Sequence, residues 1–175
     1  MHEVEKFDFK SKHEEYFYWW LLELIDREII SEANYEPHSY LLSEKLVMFS
    51  DKKKPKILLQ EHKYTPDFTF KIVEKYSQIL EKMGFIKNSE DNSVIIEIKP
   101  KFNMNNMNRL FSVNQKWVWS KYGIFVQKIV VDDLFEETFV PKRYIKTDKN
   151  LKNRVIKYDY KLIDDYLNHI NKEIN

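Results

Sequence analysis

Apolar positions along the chain follow two different rhythms, and the switches between them predict the order of the elements. Over residues 12–30, Phe17, Tyr18, Leu21, Leu24 and Ile25 recur at helical spacing behind Ser11, a good N-cap, with no glycine or proline between them. The apolar stripe of this opening helix should pack on a sheet. Residues 39–49 and 56–70 change to short β-prone runs, and the intervening Ser50-Asp51-Lys52-Lys53-Lys54-Pro55 reads as the turn of a hairpin. A short helix is expected over 76–83, closed by Gly84 and followed by a polar turn over 88–93. Residues 94–99 make the clearest strand, stopped by Pro100; helical spacing returns over 107–122 up to Gly123, and 124–131 reads as another strand. A basic stretch over 142–157 then precedes an amphipathic helix around 162–170. This order predicts an α/β fold, a mixed β-sheet flanked by helices on both faces.

Composition narrows the picture further. At 175 residues the chain fits one compact domain, and 43% hydrophobic with 33% charged residues is the composition of a chain that folds. No apolar run approaches the roughly 18 residues of a membrane span, and residues 1–10 are too charged for a signal peptide, so a soluble, cytoplasmic protein with no membrane partner is expected. With no cysteine, thiol nucleophiles and cysteine-held zinc are excluded, and any metal must sit on carboxylates, histidines or backbone oxygens. The formal net charge of +1 is uninformative as a total, but lysines cluster at Lys52, Lys53, Lys54 and Lys56, and again from Lys142 and Arg143 to Lys157. Such clusters are usually solvated surface; beside a phosphodiesterase site they become candidate contacts to a DNA backbone.

Candidate chemistry lies in two short segments. Tyr64-Thr65-Pro66-Asp67-Phe68 is followed by Val94-Ile95-Ile96-Glu97-Ile98-Lys99-Pro100. Strand alternation sends Glu97 and Lys99 to one side and Val94, Ile96 and Ile98 to the other. Charges within so apolar a strand are costly unless they are paired or bound to metal. Two carboxylates, Asp67 and Glu97, suit hard Mg²⁺ and leave positions open for water and a phosphate, with the Ile98 carbonyl as a further ligand and Lys99 placed to orient the attacking water. The plainer alternative is an ion pair between Glu97 and Lys99 on an edge strand, with Asp67 merely following Pro66 in a turn.

Pro66-Asp67 and Glu97-Ile98-Lys99 together resemble the PD-(D/E)xK nuclease superfamily. Phe9-Lys10-Ser11-Lys12-His13-Glu14 is similar to the helix opening of its small phage-encoded endonucleases, resembling Holliday-junction resolvases, and of the endonuclease subunit of heteromeric transposases. The resemblance covers about 9–131. It implies a restriction-endonuclease-like core over 1–131 with an insertion at about 75–93, residues 132–175 being an extension of the same domain. It also implies one or two Mg²⁺ or Mn²⁺ ions held by Asp67, Glu97, the Ile98 carbonyl and Glu14. Glu14 has a second reading as the third-position acid of a capping box begun by Ser11, and Glu15 is the substitute if the helix is rotated. Gln115 and Lys116 are candidates for contact with the scissile phosphate, although a solvated helix face explains Lys116 nearly as well. The histidines show no metal-ligand spacing, and Trp19, Trp20, Trp117 and Trp119 read as core or dimer packing.

The activity expected is a metal-dependent endodeoxyribonuclease in which a homodimer cuts branched or recombination DNA of a phage, with a phage or recombination protein as a further partner. Sequence-specific or nicking cleavage, cleavage of RNA, and a non-catalytic DNA-binding or virion protein on the same fold stand as alternatives.

Overall fold

The computed structural model of the chain describes residues 7–50, 53–88, 91–102, 107–147 and 152–174. Helix α1 (Lys12–Ile25) begins where expected, with Ser11 Oγ accepting from the Glu14 amide, but it does not run on to residue 30. The Glu28 amide donates to Ile25 O and the Ile29 amide to Leu24 O, and Glu28 takes the left-handed position, φ 56°, that glycine usually fills at a helix end. Ile30 therefore opens a strand, β1 (Ile30–Tyr35), that the sequence pattern had absorbed into the helix.

The two β-prone runs resolve into β2 (Tyr40–Ser43), β3 (Leu46–Ser50), β4 (Lys53–Leu59), β5 (His62–Tyr64) and β6 (Phe68–Ile72). β3 and β4 form the expected antiparallel hairpin; its turn, with Asp51 and Lys52, lies outside the described residues. β2 pairs with β5. A 3-10 turn (Glu74–Tyr76) and α2 (Ser77–Lys82) lead to β7 (Ser93–Ile98), then α3 (Met107–Tyr122), β8 (Val126–Ile129), α4 (Val131–Glu137), α5 (Lys142–Ile145) and α6 (Ile163–Ile174). The strand expected over 124–131 is shorter because Val131 starts α4, whose first-turn Asp132 and Asp133 favour a helix N-terminus.

The main sheet has the order β1-β6-β7-β8: its first three strands are antiparallel and β8 is parallel to β7. It is a mixed sheet in a mixed α/β fold. On one face Phe17, Trp20 and Leu21 of α1 pack with Phe68 and Phe70 of β6 and Ile96 of β7. Leu80 of α2, Phe135 of α4 and Ile163 of α6 close the same cluster, so α2, inside the expected insertion, contributes to the core. On the other face α3 supplies Phe111 and Val118, and β2 and β5 supply Tyr40, Leu42 and Tyr64, to a smaller cluster around Ile95. Among the described residues no helix is long and apolar enough to cross a membrane.

Candidate functional site

β7 is one of the two inner strands of the sheet and all six of its residues are buried, so its side chains divide cleanly between the two faces. Val94, Ile96 and Ile98 enter the larger cluster and Ile95 the smaller one. Glu97 and Lys99 follow Ile95 at two-residue steps toward the α3 face. They are 8% and 9% exposed, and Lys99 Nζ donates to Glu97 Oε1 at 2.5 Å. This is an enclosed ion pair, unlike one on an edge strand. The Lys99 ammonium stands 5.8 Å from the centre of the Phe111 ring on α3.

Asp67 reaches this pair through strand register. Phe68 of β6 pairs with Ile96 of β7, so one further antiparallel step sets Asp67 opposite Glu97. Directly opposed side chains share a face, with Cβ atoms about 4.5–5.5 Å apart. The Ile98 amide donates to Asp67 Oδ2 at 2.7 Å, while the next amide, Lys99 N, turns to β8 and donates to Ile129 O at 2.9 Å. A strand residue directs its N–H and C=O to the same edge, so the Ile98 carbonyl lies on the Asp67 side. Burial, then the neighbouring Glu97 and Glu14 charges, push the Asp67 carboxyl up to about 7, against the opposing pull of the Ile98 amide and Lys99.

Tyr64 donates its hydroxyl to Glu97 Oε2 at 2.8 Å, and burial with the adjacent Glu97 charge drives its own ionisation far upward. Glu14 is also buried and faces the sheet, but it is closely held. Its Oε2 accepts from Tyr35 Oη at 2.7 Å and from the Lys10 amide at 3.0 Å, and its Oε1 accepts from Ser11 Oγ at 2.8 Å. These bonds tie Glu14 to the start of the helix, as the capping reading expects, and its charge is also felt at Asp67. Glu15 points elsewhere and pairs with Lys12 at 2.8 Å.

An all-oxygen set of Asp67, Glu97 and the Ile98 carbonyl fits a hard divalent cation. Two buried acids side by side, one resisting ionisation first because of burial and then because of the other's charge, are the electrostatic arrangement that such a cation relieves. The set is lean. Among the described residues no group of three or more His, Asp or Glu side chains converges closely enough to hold a metal.

The candidate phosphate contacts are not gathered around these acids. Gln115 Nε2 donates to Val126 O of β8 at 2.6 Å, and Lys116 lies with Trp119, Ile86 and Phe125 along a depression at that edge. On α3, Phe111 lies beside the Lys99 ammonium, and the buried Asn114 meets His62 Nε2 through its Oδ1 at 3.0 Å. Lys142 and Arg143 lie on the α1 face of the fold: the Lys142 amide donates to Glu23 Oε1 at 2.6 Å, and the Arg143 guanidinium lies 4.8 Å from the Trp19 ring. Lys53 and Lys54 belong to the β3–β4 hairpin, and Lys52 lies outside the described residues. Tyr64, Tyr35, Lys10 and Asn114 were not singled out by sequence reasoning. Only Tyr64, three residues before Asp67 in the same short segment, carried a signal that pattern alone offers.

Comparison with protein-family models, with curated proteins and with solved structures gives no match to the chain.

Proposed function

We propose that the chain is an endonuclease that hydrolyses DNA phosphodiester bonds with a divalent cation, Mg²⁺ or Mn²⁺, on a restriction-endonuclease-like core. The observation that carries this reading is the opposition of Asp67 and Glu97 on one sheet face, with the Lys99 ammonium 2.5 Å from Glu97. Asp67, Glu97 and the Ile98 carbonyl are the oxygens that would hold the ion. When bound, the ion lowers the pKa of a water and polarises the phosphate.

The chain's own groups have definable tasks. Lys99 provides a fixed positive charge for a phosphate oxygen or for the water that attacks it, without the cost of reorienting solvent. Tyr64 fixes the Glu97 rotamer through Oε2. Phe111 and the apolar residues around it limit water at the ammonium, which strengthens its interaction with an anion. Asp67, its carboxyl pushed up to about 7 by burial and the Glu97 charge, would exchange a proton for the cation at neutral pH with little penalty. A homodimer would present two such centres to two strands.

The test is cleavage of four-way junctions, flaps and linear duplex with Mg²⁺. Asp67→Ala and Glu97→Ala should each lose about a thousandfold or more in rate while still binding DNA. Full activity in either variant refutes the assignment, and equal cutting of linear duplex refutes a preference for branched DNA.

A second reading, a DNA-binding protein without hydrolase activity, is favoured by one observation. Both Glu97 oxygens already have partners, Lys99 and Tyr64. Tight DNA binding with no cleavage under Mg²⁺ or Mn²⁺ would select it.

A further inference from the structure

The β3–β4 hairpin pairs only with itself among the described strands, and every residue over 54–60 is exposed. It is apolar on both faces. Phe49 is 79% exposed and Leu59 57%, and Met48, Ile57 and Leu58 are each more than two-fifths exposed. A two-stranded ribbon gains little stability alone, and adjacent apolar residues such as Ile57, Leu58 and Leu59 put hydrophobic surface on both sides of it. Such a ribbon is built to enter something.

Charge identifies what it enters. Neither strand holds an acidic residue, whereas Lys54 and Lys56 flank Pro55 on β4. The neighbouring apolar surface has the same sign: α3 contains no acid in its 16 residues and displays Arg109 and Lys116 beside exposed Leu110, Val113 and Trp117. A second copy docking hairpin on helix would oppose like charges. A polyanion carrying flat apolar bases satisfies both features together.

Position supports the same occupant. β5 follows the hairpin almost at once: His62 stacks on Trp117 with ring centres 5.6 Å apart, and Tyr64 holds Glu97. The seven-residue β4 spans about 23 Å at roughly 3.3 Å per residue, ample to follow a groove about 12 Å wide away from a phosphate at the acids.

We propose that the β3–β4 hairpin is a DNA-inserting arm, with Lys54 and Lys56 on the phosphates and its exposed apolar side chains, Phe49 toward the turn and Leu58 farther along the ribbon, wedged among unstacked bases. This deepens the endonuclease reading and rests on it for the identity of the polymer. An apolar wedge must unstack the step it enters, and DNA already open at a nick, flap or junction is spared that penalty. The arm therefore selects interrupted duplex.

The test uses the full chain in EDTA, with a 30-base-pair duplex containing 2-aminopurine, its nicked counterpart and a four-way junction. Wild type should raise 2-aminopurine fluorescence several-fold and bind the nicked and branched forms about tenfold more tightly than the intact duplex. Phe49→Ser combined with Leu58→Ser should lose the fluorescence rise and bring that preference to within about twofold; Phe49→Trp, which keeps a wedge, should retain both. An unchanged response in the double variant overturns the arm. So does a wild-type dimer, seen by sedimentation, that the double variant dissolves, because the hairpin then covers a second copy. Absent cleavage with the fluorescence response intact defeats the hydrolase reading and leaves the arm standing. Cleavage without any response defeats the arm alone.

Discussion

Tyr64 and Glu97 are joined across the two layers on the α3 side of the main sheet, the phenol of β5 donating to the carboxylate of β7 at 2.8 Å. Loss of that donor leaves a buried carboxylate oxygen short of a partner, which costs about 1–2 kcal/mol. Tyr64→Phe should lower urea stability by that amount and, if the chain is a hydrolase, slow cleavage about tenfold with little change in DNA affinity. A variant as stable as wild type would show that water replaces the phenol freely.

Asp67 predicts an unusual dependence of stability on pH. An acid whose pKa is raised in the folded state favours its protonated form there. Its stabilising effect is complete below the ordinary carboxylate value of about 4 and is lost as pH rises through about 7. Metal-free protein should therefore melt several degrees lower at pH 8 than at pH 5.5, and Asp67→Asn should flatten that slope. Mg²⁺ should restore the melting temperature at pH 8 in wild type and leave the variant unmoved. A wild-type slope equal to that of Asp67→Asn would show that another group sets the pH dependence.

Lys99 and Glu97 should behave as a coupled unit. Lys99→Met strands a buried carboxylate and should cost about 3 kcal/mol. Glu97→Gln with Lys99→Met should cost less than the sum of the single changes, by about 1–3 kcal/mol, in a double-mutant cycle. Additive effects would mean that the two charges are solvated independently.

Glu14 can be separated from the metal-holding acids by one conservative change. Its oxygens accept from Lys10, Ser11 and Tyr35, so Glu14→Gln keeps an acceptor for the cap and should cost under about 1 kcal/mol. Cleavage should fall less than tenfold, in contrast to the loss expected at Asp67. A thousandfold loss in Glu14→Gln would make it a ligand after all.

The central chemistry was legible because it breaks a local rule. Glu97 and Lys99 interrupt a strand that is otherwise apolar, and alternation alone assigns their side of the sheet. The convergence of Asp67 with them was not local: it depends on the Phe68–Ile96 register across 27 intervening residues. The junction of α1 and β1 was hidden for a different reason. Glu28 occupies a left-handed position with neither glycine nor asparagine to announce it, so Ile29 and Ile30 read as two more residues of a helix. Gln115 was placed near the acids by analogy, whereas its amide is committed to Val126 O, a contact set by how α3 lies over β8. Side chains whose roles arise from layer packing, such as Tyr35 on Glu14 or Asn114 on His62, left no trace in spacing.

Ile163, Tyr166 and Ile170 of α6 lie in the same cluster as Phe17, Trp20 and Leu21 of α1, and the Trp20 indole donates to Thr138 at 3.2 Å. In the order of synthesis α1 therefore meets β6 and β7 first and lacks this last part of its packing until α6 follows, more than a hundred residues later. At about 5–20 residues per second that interval lasts on the order of ten seconds. During it the part of the α1 face that α6 covers is available to chaperones, and the efficiency of synthesis in a cell should depend on them more than the stability of the finished fold would suggest.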